Sequence, residues 1–216
     1  MLLDTSDLNI SRFISAESRN LRYIGIDALT LIVRINPKYT LQYQDIVVDC
    51  LEDPDDTLKS KTLDLLYRMT NKQNVDFIID KMLNYLRSAP SESKVRQGLV
   101  NKVCNLAEAY SKNKAAYIRT MNRVFETAAD LMNKQLLSKV IKLVAQWNKE
   151  ATDSVKFTDY TVSMYMSILE SHKVVPDSLL QLIAWVVGEF VKNKDLEKAK
   201  KCILLLCQVM KRPVVK

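Results

Sequence analysis

The sequence predicts an all-α chain: a right-handed α-solenoid in which helical hairpins stack side by side. Two compositional facts point there first. The 216 residues include only three glycines and five prolines against 48% hydrophobic residues. So few turn formers disfavour a β-sandwich or barrel, and the abundant Leu, Lys, Ala and Met are good helix formers. The third observation is spacing: apolar residues recur at helical intervals from end to end, separated by short corners about every 17 to 20 residues.

The elements follow in order. A short helix is expected over residues 7–16, capped by Asp7, with Leu8, Ile10, Phe13 and Ile14 apolar. The second spans 19–35 and carries one apolar stripe, Leu21, Ile24, Ala28, Leu31, Ile32 and Ile35. Gly25 lies inside it, where glycine costs about 1 kcal/mol relative to alanine, so a neighbouring helix is expected to approach closely there. Asn36-Pro37 opens the third helix, which runs to about residue 52 with Tyr39, Tyr43, Ile46, Val47 and Cys50 on one face.

The acidic corner Glu52-Asp53-Pro54-Asp55-Asp56 organises what surrounds it. Asp53 is read as the cap and Pro54 as the first helical residue, with Asp55 and Asp56 on the positive end of the helix dipole. The fourth helix buries Leu58, Thr62, Leu65, Leu66 and Met69, and turns Lys59, Lys61, Asp64 and Arg68 outward. Asn74 starts the fifth, with Val75, Ile78, Ile79, Met82 and Leu86 on one face; the sixth uses Val95, Leu99, Val103, Leu106 and Tyr110.

Beyond Lys112 the helical signals weaken. Helices are expected at 115–128, 133–149, 153–172, 177–192 (opened by Pro176) and 196–211, where Pro213 stops the chain. The total is about eleven, and a pair spans about 35 to 40 residues, the period of HEAT and armadillo repeats. One such pair cannot cover its own stripe, so stacked pairs form a continuous slab. Residues 1–216 are read as a single, partial helical-repeat domain without a flexible hinge.

The formal net charge is +7 and the isoelectric point about 9.1. Acids and bases alternate along most helices, as solvated faces do. Cys50, Cys104, Cys202 and Cys207 form no Cys-x-x-Cys pair and lie among apolar residues, so buried reduced thiols and a reducing compartment are expected. Met1-Leu2-Leu3 gives way at once to Asp4, which does not resemble a signal peptide, and the longest apolar run, 202–207, is far short of a membrane span.

No catalytic, metal or cofactor site emerges. The lone His172 has no recognisable nucleophile to activate, the acidic corner lacks the spacing of a calcium loop, and the three glycines are isolated. Trp147 and Trp185 fall on apolar faces and read as packing, with a partner-binding hot spot as the alternative. Gly188, near Trp185, would admit a neighbouring helix, and Glu189 amid apolar residues would bind a neighbouring repeat's backbone or a basic side chain. Lys192, Lys194, Lys198, Lys200 and Lys201 form a basic cluster: a solvated helix end that also suits an anionic membrane surface, at about 1 kcal/mol per charge.

Three stretches carry a resemblance: NLRYIGIDAL at 20–29, DCLEDPDDTLKSKTLDLLYRMTN at 49–71 and NVDFIIDKMLNYLR at 74–87. Together they resemble the trunk of a large adaptin, and within that family the epsilon class of the fourth heterotetrameric adaptor complex. The likeness is dense over 19–87, thinner to Trp147, and returns at LLQLIAWVVGEF, 179–190, although Val191 stands where many adaptins have a small residue. The chain is far shorter than an adaptin and resembles an internal or truncated piece.

The resemblance implies a cytosolic vesicle-coat scaffold. Such a trunk holds a second large, a medium and a small subunit. It is recruited by an Arf-type GTPase and sorts cargo as a peripheral protein of trans-Golgi and endosomal membranes. Two rivals stand beside it: another HEAT-repeat scaffold, such as a different coat subunit or a transport receptor, and a basic helical-repeat nucleic-acid binder. The second should repeat base-reading residues at equivalent positions in each unit, and no such recurrence is found.

Overall fold

The computed structural model describes residues 9–36, 38–90, 94–149, 154–171, 174–191 and 196–211. Pro37, His172, Pro213, Leu2, Leu3, Lys192 and Lys194 therefore lie outside the described residues. Those described form eleven α-helices and no strand. They are α1 (9–14), α2 (Arg19–Ile35), α3 (Tyr39–Asp49), α4 (Asp56–Met69), α5 (Val75–Ser88) and α6 (Lys94–Tyr110), followed by α7 (Lys114–Thr127), α8 (Lys134–Lys149), α9 (Ser154–Glu170), α10 (Asp177–Phe190) and α11 (Leu196–Met210). Short 3-10 turns at Cys50–Glu52 and Ala129–Leu131 prolong α3 and α7. The all-α helical-hairpin class is as the spacing predicts.

The helices group into two compact units, Met1–Ser111 and Lys112–Lys216. The division falls where the periodic signal in the sequence fades. In the first unit α4 is central, packing against α2, α3, α5 and α6. Its stripe Leu58, Thr62, Leu65, Leu66 and Met69 is wholly buried, as is Val75, Ile78, Ile79, Met82 and Leu86 on α5. The Thr62 hydroxyl costs little inside because it donates to Leu58 O at 2.8 Å. In the second unit α9 is central, against α7, α8, α10 and α11. There Tyr117, Ile118, Met121, Val124 and Phe125 of α7 are buried.

Helix α2 turns a different face inward from the one the sequence predicts. Gly25, Ile26, Leu29 and Val33 are buried. Leu21, Ile24, Leu31 and Ile35 are exposed, Ile35 at 84%. The helix carries two apolar stripes one position apart, and contact with α4 selects the narrower one. Gly25 lets α1 come close: a Cβ there would stand 2.8 Å from both Ile14 Cγ1 and Ile14 N. That approach buries Ile10 and Ile14 and leaves Phe13 at the edge.

Candidate functional site

The acidic corner is built differently from the local reading. The N-cap of α4 is Asp55, whose Oδ1 accepts from Thr57 N at 2.8 Å and Leu58 N at 2.9 Å. Those backbone donors, Leu58 first, hold its carboxyl below the usual carboxylate range. Asp53 instead points inward. Its Oδ1 accepts from Asp55 N at 2.8 Å, and its Oδ2 is paired with the Arg22 guanidinium of α2. The Asp53 side chain is fully buried while Arg22 keeps 23% exposure, so water still reaches one partner. Pro54 precedes the helix, which begins at Asp56. The corner is thus a structural tie between α2 and the start of α4.

Asn74 makes a second tie at the next corner. Its amide donates to Gln44 Oε1 of α3 at 2.9 Å and to Met69 O at 3.1 Å, while its Oδ1 accepts from Asn71 N at 2.7 Å. Exposed ion pairs join alternate helices: Lys61 of α4 to Asp27 of α2 at 2.7 Å, and Lys102 of α6 to Asp64 of α4. Pairs so wet contribute little stability and serve mainly to set register.

Cys50 sits beneath the first corner, and burial pushes its thiol up to about 11, so it is protonated and unreactive. Cys104 and Cys202 are also buried, but Cys207 is exposed, against expectation. The reason is that α11 offers more apolar surface than its neighbours cover: Ile203, Leu204 and Met210 are exposed beside it.

In the second unit the aromatic side chains form a chain of edge-to-face contacts. Tyr117 meets Trp147 at 5.0 Å, Trp147 meets Phe157 at 6.3 Å, Phe157 meets Phe190 at 6.4 Å, and Phe190 meets Trp185 at 6.1 Å. Lys114 lies over Trp147 and Phe157 and donates to Trp147 O at 3.1 Å. Both tryptophans thus stand in an aromatic contact chain. Among the described residues Gly188 does not receive the neighbouring helix expected of it: it is exposed, and a Cβ there would meet nothing within 4 Å. Glu189 beside it is exposed.

Of the basic cluster, Lys192, Lys194 and the side chain of Lys198 lie outside the described residues. Lys200 reaches Glu197 at 3.0 Å and Lys201 reaches Glu170 at 2.8 Å. Two of the five charges are therefore partly neutralised at close range. Among the described residues no group of three metal-ligating side chains converges, and no helix is long and apolar enough to cross a membrane.

One concave feature stands out that the sequence reading missed. A groove of about 650 Å³ runs along α9, walled by the end of α7 and by residues 174–176 leading into α10. Met164, Ile168, Val175 and Leu179 make it apolar; Ser163, Ser167 and Ser171 form one wall, and Glu126 supplies a carboxylate. The serines stand four residues apart; Ser163 and Ser167 share one face of α9, and Ser171 follows just past its end. That regularity was visible in the sequence, but small residues at helical spacing fit many helices and reveal no opposing wall.

The packed helical hairpins of the described residues define a helical-repeat protein. The chain belongs to the adaptin family: residues 9–215 match the adaptin N terminal region. It is 35% identical over 210 residues to the AP-4 complex subunit epsilon-1 of Homo sapiens, covering 97% of this chain and 18% of that protein. To the AP-4 complex subunit epsilon of Arabidopsis thaliana it is 38% identical over 191 residues, 88% of this chain and 20% of that protein. To the AP-2 complex subunit alpha-2 of Dictyostelium discoideum it is 28% identical over 193 residues, 88% of this chain and 18% of that protein. The chain thus spans about a fifth of the length of the curated relatives it matches.

Proposed function

We propose that the chain is a scaffold segment of a vesicle-coat adaptor complex of the AP-4 class, taking part in intracellular protein transport and cargo sorting. The match of residues 9–215 to the adaptin N terminal region carries this reading. Relatives named as adaptor-complex subunits support it. Its partners on this reading are the second large, the medium and the small chains, with an Arf-type GTPase for recruitment. Its place is the cytoplasmic face of trans-Golgi and endosomal membranes, held peripherally. It is not an enzyme, requires no cofactor, and binds no nucleic acid specifically.

The ties at Asp53 and Asn74 fit such a role. They fix how one hairpin meets the next, and a scaffold works by holding surfaces at set spacings. The basic cluster around Lys200 assists membrane contact in this proposal, and residues 1–216 act as one partial trunk domain. Co-expression with the small and medium chains of an AP-4-type complex tests the reading. Co-elution in fixed stoichiometry is expected; elution of this chain alone, with the other chains assembling without it, overturns it.

A further inference from the structure

We propose that the outer face of α2 is the interface of an antiparallel homodimer, in which a second copy of this chain lays its own α2 along the first. The inference does not depend on the adaptor reading. Helix α2 carries two apolar rows and uses only one of them inside the protein: Ile26, Leu29 and Val33 are buried. Half a turn away Leu21, Ile24, Leu31 and Ile35 stand in solvent, Ile24 at 55% and Leu31 at 59%, with Ala28 half-buried among them. The spacing from Leu21 through Ala28 to Ile35 alternates between three and four residues. That is the period of a coiled-coil seam, which packs against another helix with the same repeat. The α2 of a second copy supplies that repeat.

Charge fixes how the two copies lie. Asp27 and Arg34 are both exposed and stand two turns apart on one flank of the row. Set the helices antiparallel, with Ile24 of one copy against Ile35 of the partner subunit. Ala28 then meets Leu31 of the partner subunit, and Asp27 comes opposite Arg34 of the partner subunit. Two-fold symmetry makes that pair twice. A slip that sets Ile24 on Ala28 of the partner subunit brings the two Asp27 carboxylates together instead. A parallel pair sets Asp27 opposite Ile32 of the partner subunit, where no charge answers it.

Asp27 already accepts from Lys61 Nζ, at 2.8 Å on Oδ1 and 2.7 Å on Oδ2. Its side chain nevertheless keeps 59% exposure, and a carboxylate has about four acceptor positions, so a guanidinium joins without displacing the lysine. Pairs this wet add little affinity. They choose register and orientation, while the apolar row supplies the driving force. The other flank is matched as well. Half-buried Ile32 lies on the side of Gly25, where α1 packs and leaves Phe13 37% exposed. In the antiparallel register Ile32 comes opposite Gly25 of the partner subunit, and so beside the partner subunit's Phe13. The small Ala28 at the middle of the row lets the two helix axes approach.

Sedimentation equilibrium on the full chain, from about 1 to about 100 µM, should show a monomer–dimer equilibrium. Leu31→Glu puts a carboxylate from each copy into the seam and should hold the chain monomeric throughout, with Ile24→Glu as a second variant should the first lose its helical signal. Arg34→Asp alone sets Asp27 against an aspartate and should weaken the dimer about tenfold; Asp27→Arg combined with Arg34→Asp should return it to within about threefold of wild type. Four results overturn the proposal: a chain still monomeric at about 100 µM, a dimer that persists in both glutamate variants, a double exchange no tighter than Arg34→Asp alone, or association that continues past the dimer. Ile35→Cys in a Cys207→Ser background says what a monomer does with the face. A cysteine closed to a maleimide means that residues of this chain outside the described ones cover the row. An open cysteine means that the row stands bare or takes a different protein. Neither outcome of co-elution with adaptor chains changes how these results are read, so the two proposals fail separately.

Discussion

Alanine at Gly25 and alanine at Gly188 should change stability in opposite directions. In a helix interior alanine is favoured over glycine by about 1 kcal/mol, and at an open position that gain is realised. Gly188 is such a position, with nothing within 4 Å of a new Cβ, so Gly188→Ala should stabilise by about 0.5–1 kcal/mol. At Gly25 the same methyl would lie 2.8 Å from Ile14 Cγ1, 2.8 Å from Ile14 N and 3.1 Å from Phe13 C. A side chain can rotate away, but the two backbone atoms move only if α1 moves. Overpacking of this kind costs about 1–3 kcal/mol, and the backbone contacts place it at the upper end. After the propensity gain, Gly25→Ala should be destabilised by about 1–2 kcal/mol, lowering Tm by about 2–8 °C. Thermal melts followed by circular dichroism at the helical band decide it. Stabilisation of both variants would show that α1 does not pack on α2 at Gly25, and with it that the burial of Ile10 and Ile14 is wrong.

Three further outcomes are expected. Asp53→Ala strips a buried carboxylate from Arg22 and should cost about 2 kcal/mol, less than a fully buried pair because Arg22 is 23% exposed; an unchanged midpoint in urea would remove the tie. Asp55→Ala should lower Tm by about 2–4 °C, while Asp55→Asn keeps the cap. Because the folded carboxyl titrates low, the wild-type advantage over alanine is present at neutral pH and lost as pH falls through the carboxylate range, whereas the asparagine variant holds its advantage; melts from pH 7 to 3 show the crossing. The Cys50 thiol is raised from 9.0 to about 11, so its contribution is whole below pH 9 and is lost as pH rises toward 11. Wild type should therefore lose stability relative to Cys50→Ala over that window, and iodoacetamide at pH 8 should label Cys207 before Cys50 by mass spectrometry.

Helix positions and the buried faces of α4 and α5 were legible because each carries one apolar stripe at helical spacing, opposed by charges. Helix α2 was not, since Leu21, Ile24, Leu31 and Ile35 compete with Ile26, Leu29 and Val33. Only a partner helix can choose between two adjacent stripes. The acidic corner shows the same limit. Three aspartates within four residues are each able to cap, and what removes Asp53 from that duty is Arg22, 31 positions upstream. Sequence reasoning also assigned Gly188 a role that depended on a neighbour, and no neighbour comes within 4 Å. The groove along α9 lay beyond reach for a related reason: its serines are local, but its opposite wall comes from Glu126 and residues 174–176.

The aromatic contact chain has an optical consequence. The protein has only two tryptophans, Trp147 and Trp185, and both belong to the unit spanning Lys112–Lys216. Indole emission is therefore blind to the first hundred residues, whereas far-ultraviolet dichroism sees every helix. Followed together through one denaturation, the two signals separate what a single probe merges. Coincident transitions mean that the halves melt as one cooperative body; an emission change displaced from the dichroism curve means that they melt apart. A perturbation planted near Gly25 sharpens the comparison, because any shift it produces in tryptophan emission must have crossed from one unit to the other.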